Sequence, residues 1–500
     1  MPTGSTRCVG DAVAPGYAID AMLFLAVAGA LVCLLLPRRQ VLGLAVAVSA
    51  VELVSAASLW VSVLANGRVT AADNLFFVDA FSAFHLIVLG LVFLICSLFA
   101  QVYFANDGEH GLAPGAARRF GALWLGSLAA MMLVLVSNNL GIMWVGMEAT
   151  TLLTAFLISL HPSRLSLEAM WKYLLICSVG IAFAFIGTIF TAAAVQGGLG
   201  ADALLWTRLA APETHLDPTL MTFAFVFVLV GYGTKAGLAP IHSWLPDAHS
   251  QAPAPVSAMF SGFLLNTALY CILRYVPLVR HALGSSFADH LLVFFGALSI
   301  LVAAGFIVFQ RDAKRLLAYS SVEHLGIITL GYGLGPLGSF AALFHTLNHS
   351  LSKSLAFCAV GRLGQHYGTH DMRTLSGALR ADRVWGLGLL GSILALIGAA
   401  PFAIFMSEYQ LLRAAVGQGA WLVLALFLAA GAVVFIAALH HLIDMAFGDA
   451  KSALPKARSA ASSVLLVAAV MGLLLFLGLW MPPWLGEAIG RAADAAGARL

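Results

Sequence analysis

Residues 231–255 read GYGTKAGLAPIHSWLPDAHSQAPAP, and the reading of this stretch decides the fold. An apolar run from Met221 to Val230 leads into Lys235, and Pro240, Pro246, Pro253 and Pro255 follow. A lysine at mid-bilayer depth costs roughly 2.5–3.5 kcal/mol on insertion scales, and such residues usually face a polar interior. Proline removes a backbone donor, so broken helix at that depth persists only where protein or water satisfies the freed groups. His242, Asp247 and His249 lie in the same interruption. The stretch reads as a membrane helix broken beside something polar.

Composition agrees. The 500 residues are 61% hydrophobic and 10% charged, with mean hydropathy +0.95, whereas soluble proteins average about 25% charged residues. An all-α integral membrane protein is expected, with the lipid bilayer as its surroundings. The net charge of +3 and the lack of a basic run interleaved with aromatics argue against a nucleic-acid partner. Six cysteines (Cys8, Cys33, Cys96, Cys177, Cys271, Cys358) are scattered without a CxxC pair, so no iron–sulfur or zinc site is expected within the chain. No GxxxxGK[ST] loop or strand–GxGxxG–helix pattern is present either. The expected cofactors in this chain are therefore none. Residues 1–20 hold only Arg7 against Asp11 and Asp20, so the first apolar run is read as a retained span rather than a cleaved signal.

Windows of about 20 apolar residues are the unit to seek. About fourteen are found: 17–36, 41–65, 80–105, 120–137, 139–160, 168–195, 219–240, 253–277, 287–310, 314–333, 336–361, 385–412, 419–447 and 459–482. Alternating the loops puts sixteen Lys and Arg on one side and seven on the other, with Lys235, Arg274 and Lys353 inside spans. By the positive-inside bias the richer side is cytoplasmic, which places both termini on the non-cytoplasmic face. The largest connection, 362–384, is basic; it reads as an ordinary positive-inside loop before it reads as a docking site for a cytoplasmic partner.

Charges inside spans are the functional candidates, each with a structural alternative. Glu148 sits midway along 139–160 without a basic neighbour one turn away, and Lys235 is the partner type it lacks. At 4 Å and an effective dielectric of 20 such a pair is worth about 4 kcal/mol. Making and breaking it would switch the lysine between holding and releasing a proton. In 336–361, His345, His349 and Lys353 recur at i, i+4 and i+8 on one helix face, which suits a proton relay. A packed structural role is credible for either histidine alone, less so for the three together. A zinc reading lacks a third ligand, so no metal site is expected. Glu323 and His324 add two groups from the preceding span. In 385–412, Pro401 interrupts the span and Glu408 follows. Asp79, His85, Asn266, His440, His441 and Asp444 read as structural, and mid-span Glu52 is unexplained. Glu168 and Lys172 read as an i,i+4 pair steadying a helix start.

Spans four to eight and nine to thirteen each hold five helices, so the second set is inverted relative to the first. Lys235 in the seventh and Glu408 in the twelfth then correspond, both in proline-broken helices. Paired interrupted segments in two inverted halves point to a transport site. The expected organisation is 1–119, an N-terminal three-helix segment; 120–280 and 281–450, the two inverted five-helix repeats; and 451–500, a last helix and tail.

GYGTKAGLAPIHSWLPDAHSQAPAPVSA, RDAKRLLAYSSVEHLGII and FHTLNHSLSKSLAF resemble signature segments of the antiporter-like proton-translocating membrane subunits. That family serves respiratory complex I, multisubunit sodium/proton antiporters and group 4 hydrogenases. The resemblance covers roughly residues 75–450, and the stretch from Asn138 to Thr188 is most similar to the hydrogenase-4 component F branch. It implies a proton-translocating, non-redox subunit of a multisubunit oxidoreductase in a prokaryotic inner (plasma) membrane, with membrane and peripheral partner subunits carrying the electrons. A cation/proton antiporter subunit and an inorganic-carbon uptake subunit are the alternatives. Carried onto this sequence, Glu148 and Lys235 form the acid–lysine pair of the first half-channel. His324, His349 and Lys353 lie on the central axis, with His345 on the same stripe, and Glu408 ends the second half. Apart from the resemblance, the charge tally puts the proline-rich exit on the cytoplasmic side, so His242, Asp247 and His249 read there either as proton-entry groups or as caps of the broken helix, with Glu323 as an accessory group. Asn266 stands where respiratory relatives often carry a bridging lysine, which questions the continuity of the axis. The long lateral helix of the largest family members is also not found here.

Overall fold

Short polar residues placed ahead of apolar runs set where the helices begin. The computed structural model describes residues 14–105, 111–284, 286–449 and 459–498; Arg7, Cys8, Asp11, Lys451, Lys456, Arg458 and Arg499, used in the sequence reading, lie outside them. Helices α1 (Ala14–Cys33) and α2 (Arg38–Asn66) lead to a hairpin pairing Val69–Ala71 with Phe76–Val78. The Asp79 carboxylate then accepts from the Ser82 amide at 2.9 Å and starts α3 (Ala80–Tyr103). α4 (Pro114–Val136) carries proline in its first turn, where no amide is missed. Asn139 caps α5 (Leu140–Ile158) by accepting from the Gly141 and Ile142 amides at 2.8 and 3.2 Å. Three residues therefore suffice to separate α4 from α5. Ser163 and Ser166 form a reciprocal capping box on α6 (Arg164–Ala193). After the short α7 (Trp206–Leu209), Asp217 caps α8 (Pro218–Ala236).

The chain then breaks, resuming as α9 (Trp244–Gln251), α10 (Ala254–Met259), a π-helical turn Phe260–Leu264 and α11 (Leu265–Leu283). α12 (Ser286–Ile307), α13 (Ala313–Tyr332) and α14 (Gly335–Tyr367) follow, then the one-turn α15 (Ala378–Ala381). A second broken pair, α16 (Arg383–Leu396) and α17 (Ala403–Gly417), precedes α18 (Trp421–Phe447), α19 (Ala461–Leu479) and the short α20 (Pro483–Ala493).

Among the described residues, eleven helices are long and apolar enough to cross a membrane, not the fourteen windows expected. The difference has a physical origin. The windows 314–333 and 336–361 are helical as α13 and α14, but they carry buried Glu323, His324, His345, His349 and Lys353. The window 385–412 is split into α16 and α17, each too short alone. The protein is a predominantly helical, multi-pass integral membrane protein.

The α10–α11 run is buried along its whole apolar window, whereas α18 and α19 expose most of theirs. The first marks the centre of the bundle and the second pair its lipid-facing edge. α20 folds back onto α3 and α14, and Arg280 donates to the Gly497 carbonyl at 2.5 Å beyond it.

Two features hold Lys235 in place. α6 and α8 meet at backbone contact: a Cβ on Gly231 would lie 2.4 Å from the Ala184 amide nitrogen, and one on Gly180 2.8 Å from Thr234 Cβ. Small residues are what allow such an approach in a membrane. Then Gly237, at φ +79°, turns the chain out of α8 one residue after its end. The backbone groups freed by the break are met, because Trp244 Nε1 donates to the Thr234 carbonyl at 2.9 Å and the Ala239 amide to Ser299 Oγ at 3.0 Å. In the second break Gly398 has φ +69°, and Asn348 Nδ2 donates to the Ala403 carbonyl at 3.1 Å. Both breaks contain a cis Ala–Pro bond, at Ala239–Pro240 and Ala400–Pro401.

Asp79 and Arg274 lock α3 to α11. The guanidinium is bidentate to the carboxylate at 2.7 and 2.8 Å and also meets the Tyr270 hydroxyl at 2.8 Å. Asp79→Ala should cost about 3–5 kcal/mol, because it strands a buried arginine. Thermal unfolding in detergent checks this, with Asp79→Leu/Arg274→Met expected to recover most of the loss; a single variant as stable as the parent would contradict it.

Candidate functional site

Lys235 lies in the last turn of α8 and is fully buried. Its ammonium donates to Thr151 Oγ1 at 2.9 Å and to the Tyr173 hydroxyl, and it sits 4.5 Å from the Tyr173 ring centroid. That hydroxyl is 2.6 Å from Thr154 Oγ1, which also approaches the Thr150 carbonyl at 2.6 Å. A buried cation is thus surrounded by neutral oxygens and one aromatic face.

The expected direct Glu148–Lys235 pair is not made. Among the described residues no cation lies within 4.0 Å of the Glu148 carboxylate. Ser178 donates to Glu148 Oε1 at 2.9 Å, and Oε2 is buried with no partner among the described residues. The reason is register. Thr151, three residues on from Glu148 along α5, reaches the ammonium, while Glu148 turns toward α6. Residues at i and i+3 on a helix are neighbours about 5–6 Å apart, so the carboxylate is one side-chain rearrangement from the lysine's shell.

The three groups on α14 share one face, and that face meets α13. His345 Nε2 lies 2.9 Å from His324 Nδ1, and its Nδ1 lies 2.9 Å from Ser407 Oγ on α17. The His349 ring centroid is 5.1 Å from that of His324, and Lys353 donates to the Leu317 carbonyl at 2.8 Å. Neither ring nitrogen of His349 has a partner among the described residues. Glu323 and Glu408 both line a cavity of about 470 Å³ bounded by α12, α13, α17 and α18. The third ligand that sequence could not place is supplied here: donor atoms of His324, His345 and Glu408 lie within 4.8 Å of one another. These donor types suit zinc, but the His324–His345 contact already pairs two of the nitrogens with each other.

The groups considered for proton entry behave differently. Asp247 is clamped by Lys172 at 3.1 Å and Arg315 at 2.5 Å, tying α9 to α6 and α13. Lys172 also makes the expected i,i+4 contact with Glu168 at 2.7 Å. This is an ion-paired strut, not a free acceptor. His249 is fully buried, stacked 5.1 Å from Phe357, with neither ring nitrogen partnered among the described residues. His242 lies in the break itself, near Phe306 and Tyr319.

Asn266 follows the π-helical turn of the central helix. Its Nδ2 donates to the Gly262 carbonyl at 3.2 Å and to Ser350 Oγ at 3.4 Å, and its Oδ1 is buried without a partner among the described residues. Among the described residues no hydrogen bond joins it to the Lys235 group or to His349. Glu52 is likewise buried on α2 with both oxygens unpartnered among the described residues, which leave it unexplained.

Sequence reasoning missed Thr151, Tyr173, Ser178 and Ser407. A Thr150–Thr151–Thr154 cluster in an otherwise apolar span was the available signal.

Comparison with known proteins places this geometry in context. The family described as NADH:quinone oxidoreductase/Mrp antiporter, transmembrane, matches residues 137–435, which contain every residue from Glu148 to Glu408 discussed above. A hydrogenase-4 component F homolog of Methylacidiphilum infernorum is 40% identical over 384 residues, 75% of this chain and 80% of the relative. NADH-quinone oxidoreductase subunit N of Desulforudis audaxviator is 30% identical over 341 residues, 67% of this chain and 66% of the relative. A chain of the Mrp complex from Dietzia sp. DQ12-45-1b shares the fold, with TM-score 0.83, 22% identity and 96% coverage of both chains. On the family match and the similarity to the component F homolog, the chain belongs to the NADH:quinone oxidoreductase/Mrp antiporter membrane family.

Proposed function

We propose that this chain is a proton-translocating, non-redox membrane subunit of a complex I-like oxidoreductase, of the hydrogenase-4 type. The observation that carries the reading is Lys235, a buried ammonium held by hydroxyl oxygens with Glu148 one turn from its shell. Keeping such a charge in a membrane without use is costly. With Glu148 withdrawn, burial favours proton loss from the lysine; with Glu148 swung in, their attraction favours reloading it. The Tyr173–Thr154 hydroxyl pair offers the released proton a first acceptor.

On the far side, His345, His324 and His349 form a ring-to-ring series, with Ser407 at one end and Lys353 one turn beyond His349. Glu408, at the cavity it shares with Glu323, is the terminal group of the second half. The two half-paths belong to inverted repeats at 120–280 and 281–450, supported by the matching Gly-x-Ala-Pro breaks after α8 and α16. Electron transfer is assigned to partner subunits of a multisubunit complex, because this chain carries no cofactor motif. The plasma membrane of a prokaryote, with both chain termini on the non-cytoplasmic face, completes the reading.

The second reading is a subunit of a cation/proton antiporter, favoured by the family description itself, which spans both groups; an inorganic-carbon uptake complex is its variant. Mild-detergent purification separates them, since hydrogenase-like subunits with metal centres co-purify only under the first.

Lys235→Ala in the assembled complex should lower proton uptake by sealed vesicles at least tenfold with the subunits still co-purifying; unchanged uptake would overturn the assignment. Tyr173→Phe removes one charged hydrogen bond, worth about 1.5–3 kcal/mol, and should slow uptake about tenfold or more. Replacing sodium by choline in the same vesicles should leave the rate unaltered, and a sodium requirement would exclude protons as the transported ion.

A further inference from the structure

We propose that the groove between α3 and α19 is a binding site for one anionic membrane phospholipid. The groove encloses about 800 Å³ and is floored by Leu351 of α14 and Trp385 of α16. Its wall on α3 runs from Leu91 to the residues just beyond the helix end, Ala105. Fourteen helical steps span about 21 Å, longer than the roughly 15 Å of hydrocarbon in one leaflet. The groove therefore reaches from the membrane surface to mid-bilayer on one side only, the dimension of a single lipid.

Its chemistry is graded along that length. The deep end is aliphatic, with Leu91 and Leu473, and the polar residues gather at the other end: Gln101, Arg362, Ser459 and Ser463. Two of the lining residues carry a buried polar atom with no partner among the described residues, Trp385 Nε1 and Ser463 Oγ. Both belong to the first turns of their helices, at the level where a glycerol ester would lie. Unpaired buried donors are uncommon and call for a partner outside the chain.

Charge selects the headgroup. Arg362 donates to Gln365 Oε1 at 3.0 Å and has no carboxylate within 4.0 Å among the described residues. Gln365 in turn donates to the Tyr103 carbonyl at 2.9 Å, which fixes this end of α14 beside the end of α3. An adjoining cavity of about 390 Å³ shares Gln101 and Ala105 with the groove and adds Arg38 and Arg39. Basic pockets between membrane helices on the cytoplasmic side attract anionic headgroups, and Arg38, Arg39 and Arg362, near helix ends, all fall on the basic side of the charge tally. A zwitterionic lipid would fill the apolar part equally well but would leave Arg362 without a net countercharge among the described residues.

The test uses the complex purified from membranes, exchanged into equimolar phosphatidylglycerol and phosphatidylcholine, washed with detergent and analysed by native mass spectrometry. One phosphatidylglycerol per copy should be retained, in at least fivefold preference over phosphatidylcholine. Arg362→Gln should remove that preference, and Ala469→Phe, which fills the groove and leaves the arginines intact, should abolish retention of either lipid. The competition on the unaltered complex stands alone if a variant does not assemble. Equal retention of the two lipids, a quinone in place of a lipid, no bound lipid, or retention undiminished by both substitutions would overturn the proposal.

Discussion

Burial of Lys235 without an anionic partner is the constraint around which this structure is arranged. A charge in a membrane interior is held by pairing or by several dipoles, and this protein uses dipoles. Thr151 comes from α5, Tyr173 from α6 and the lysine from α8. The glycine contacts of α6 with α8 bring two of those three helices within reach. The chain must then leave α8 immediately, and Gly237 allows it. The carbonyl freed near the break is taken by Trp244, so the interruption is stabilised by residues that follow it. The Asp79–Arg274 pair shows the other solution in the same protein, two charges neutralising each other fully and therefore suited to a fixed role. A lysine held only by neutral oxygens retains a response to an approaching carboxylate, which a closed ion pair lacks.

Much of this was legible in the sequence, for reasons that can be named. Helix starts were readable because Asp79, Asn139, Ser163, Asp217 and Asp382 cap them locally. The two breaks were readable because glycine and proline act on the backbone whatever surrounds them. The α14 stripe was readable because i, i+4 spacing fixes a common face. The hydroxyls were not. Serines and threonines in apolar helices commonly satisfy themselves on the carbonyl four residues back, as Thr188 and Thr191 do on α6. Nothing local distinguishes those from Thr151, whose hydroxyl accepts from a lysine 84 residues away. That Thr151 and Tyr173, rather than Glu148, hold Lys235 in this structure was not readable for a related reason: spacing says which groups share a region, while helix rotation and rotamer decide which one touches. The His324–His345–Glu408 convergence likewise depends on how three separate helices pack.

Asn266 is where sequence and structure pose the same question. It lies just after a π-helical turn, and such turns are frequent at functional sites. Among the described residues, Asn266 Oδ1 and both ring nitrogens of His349 lack partners, which leaves acceptor and donor capacity on both sides of the gap between the two proposed half-paths. An amide cannot carry a positive charge as a lysine would, so transfer along the proposed axis here rests on hydration rather than on a side-chain cation. This separates the chain from a relay made of lysines alone, and it makes the Glu148–Lys235 switch the step on which the proposed relay depends.

Infrared difference spectroscopy of the working complex tests that switch most directly. The proposed relay predicts a carboxyl band that appears when the complex is driven, is absent in Glu148→Gln and shifts in Lys235→Ala. A driven-minus-resting spectrum identical in the parent and in Glu148→Gln would contradict it.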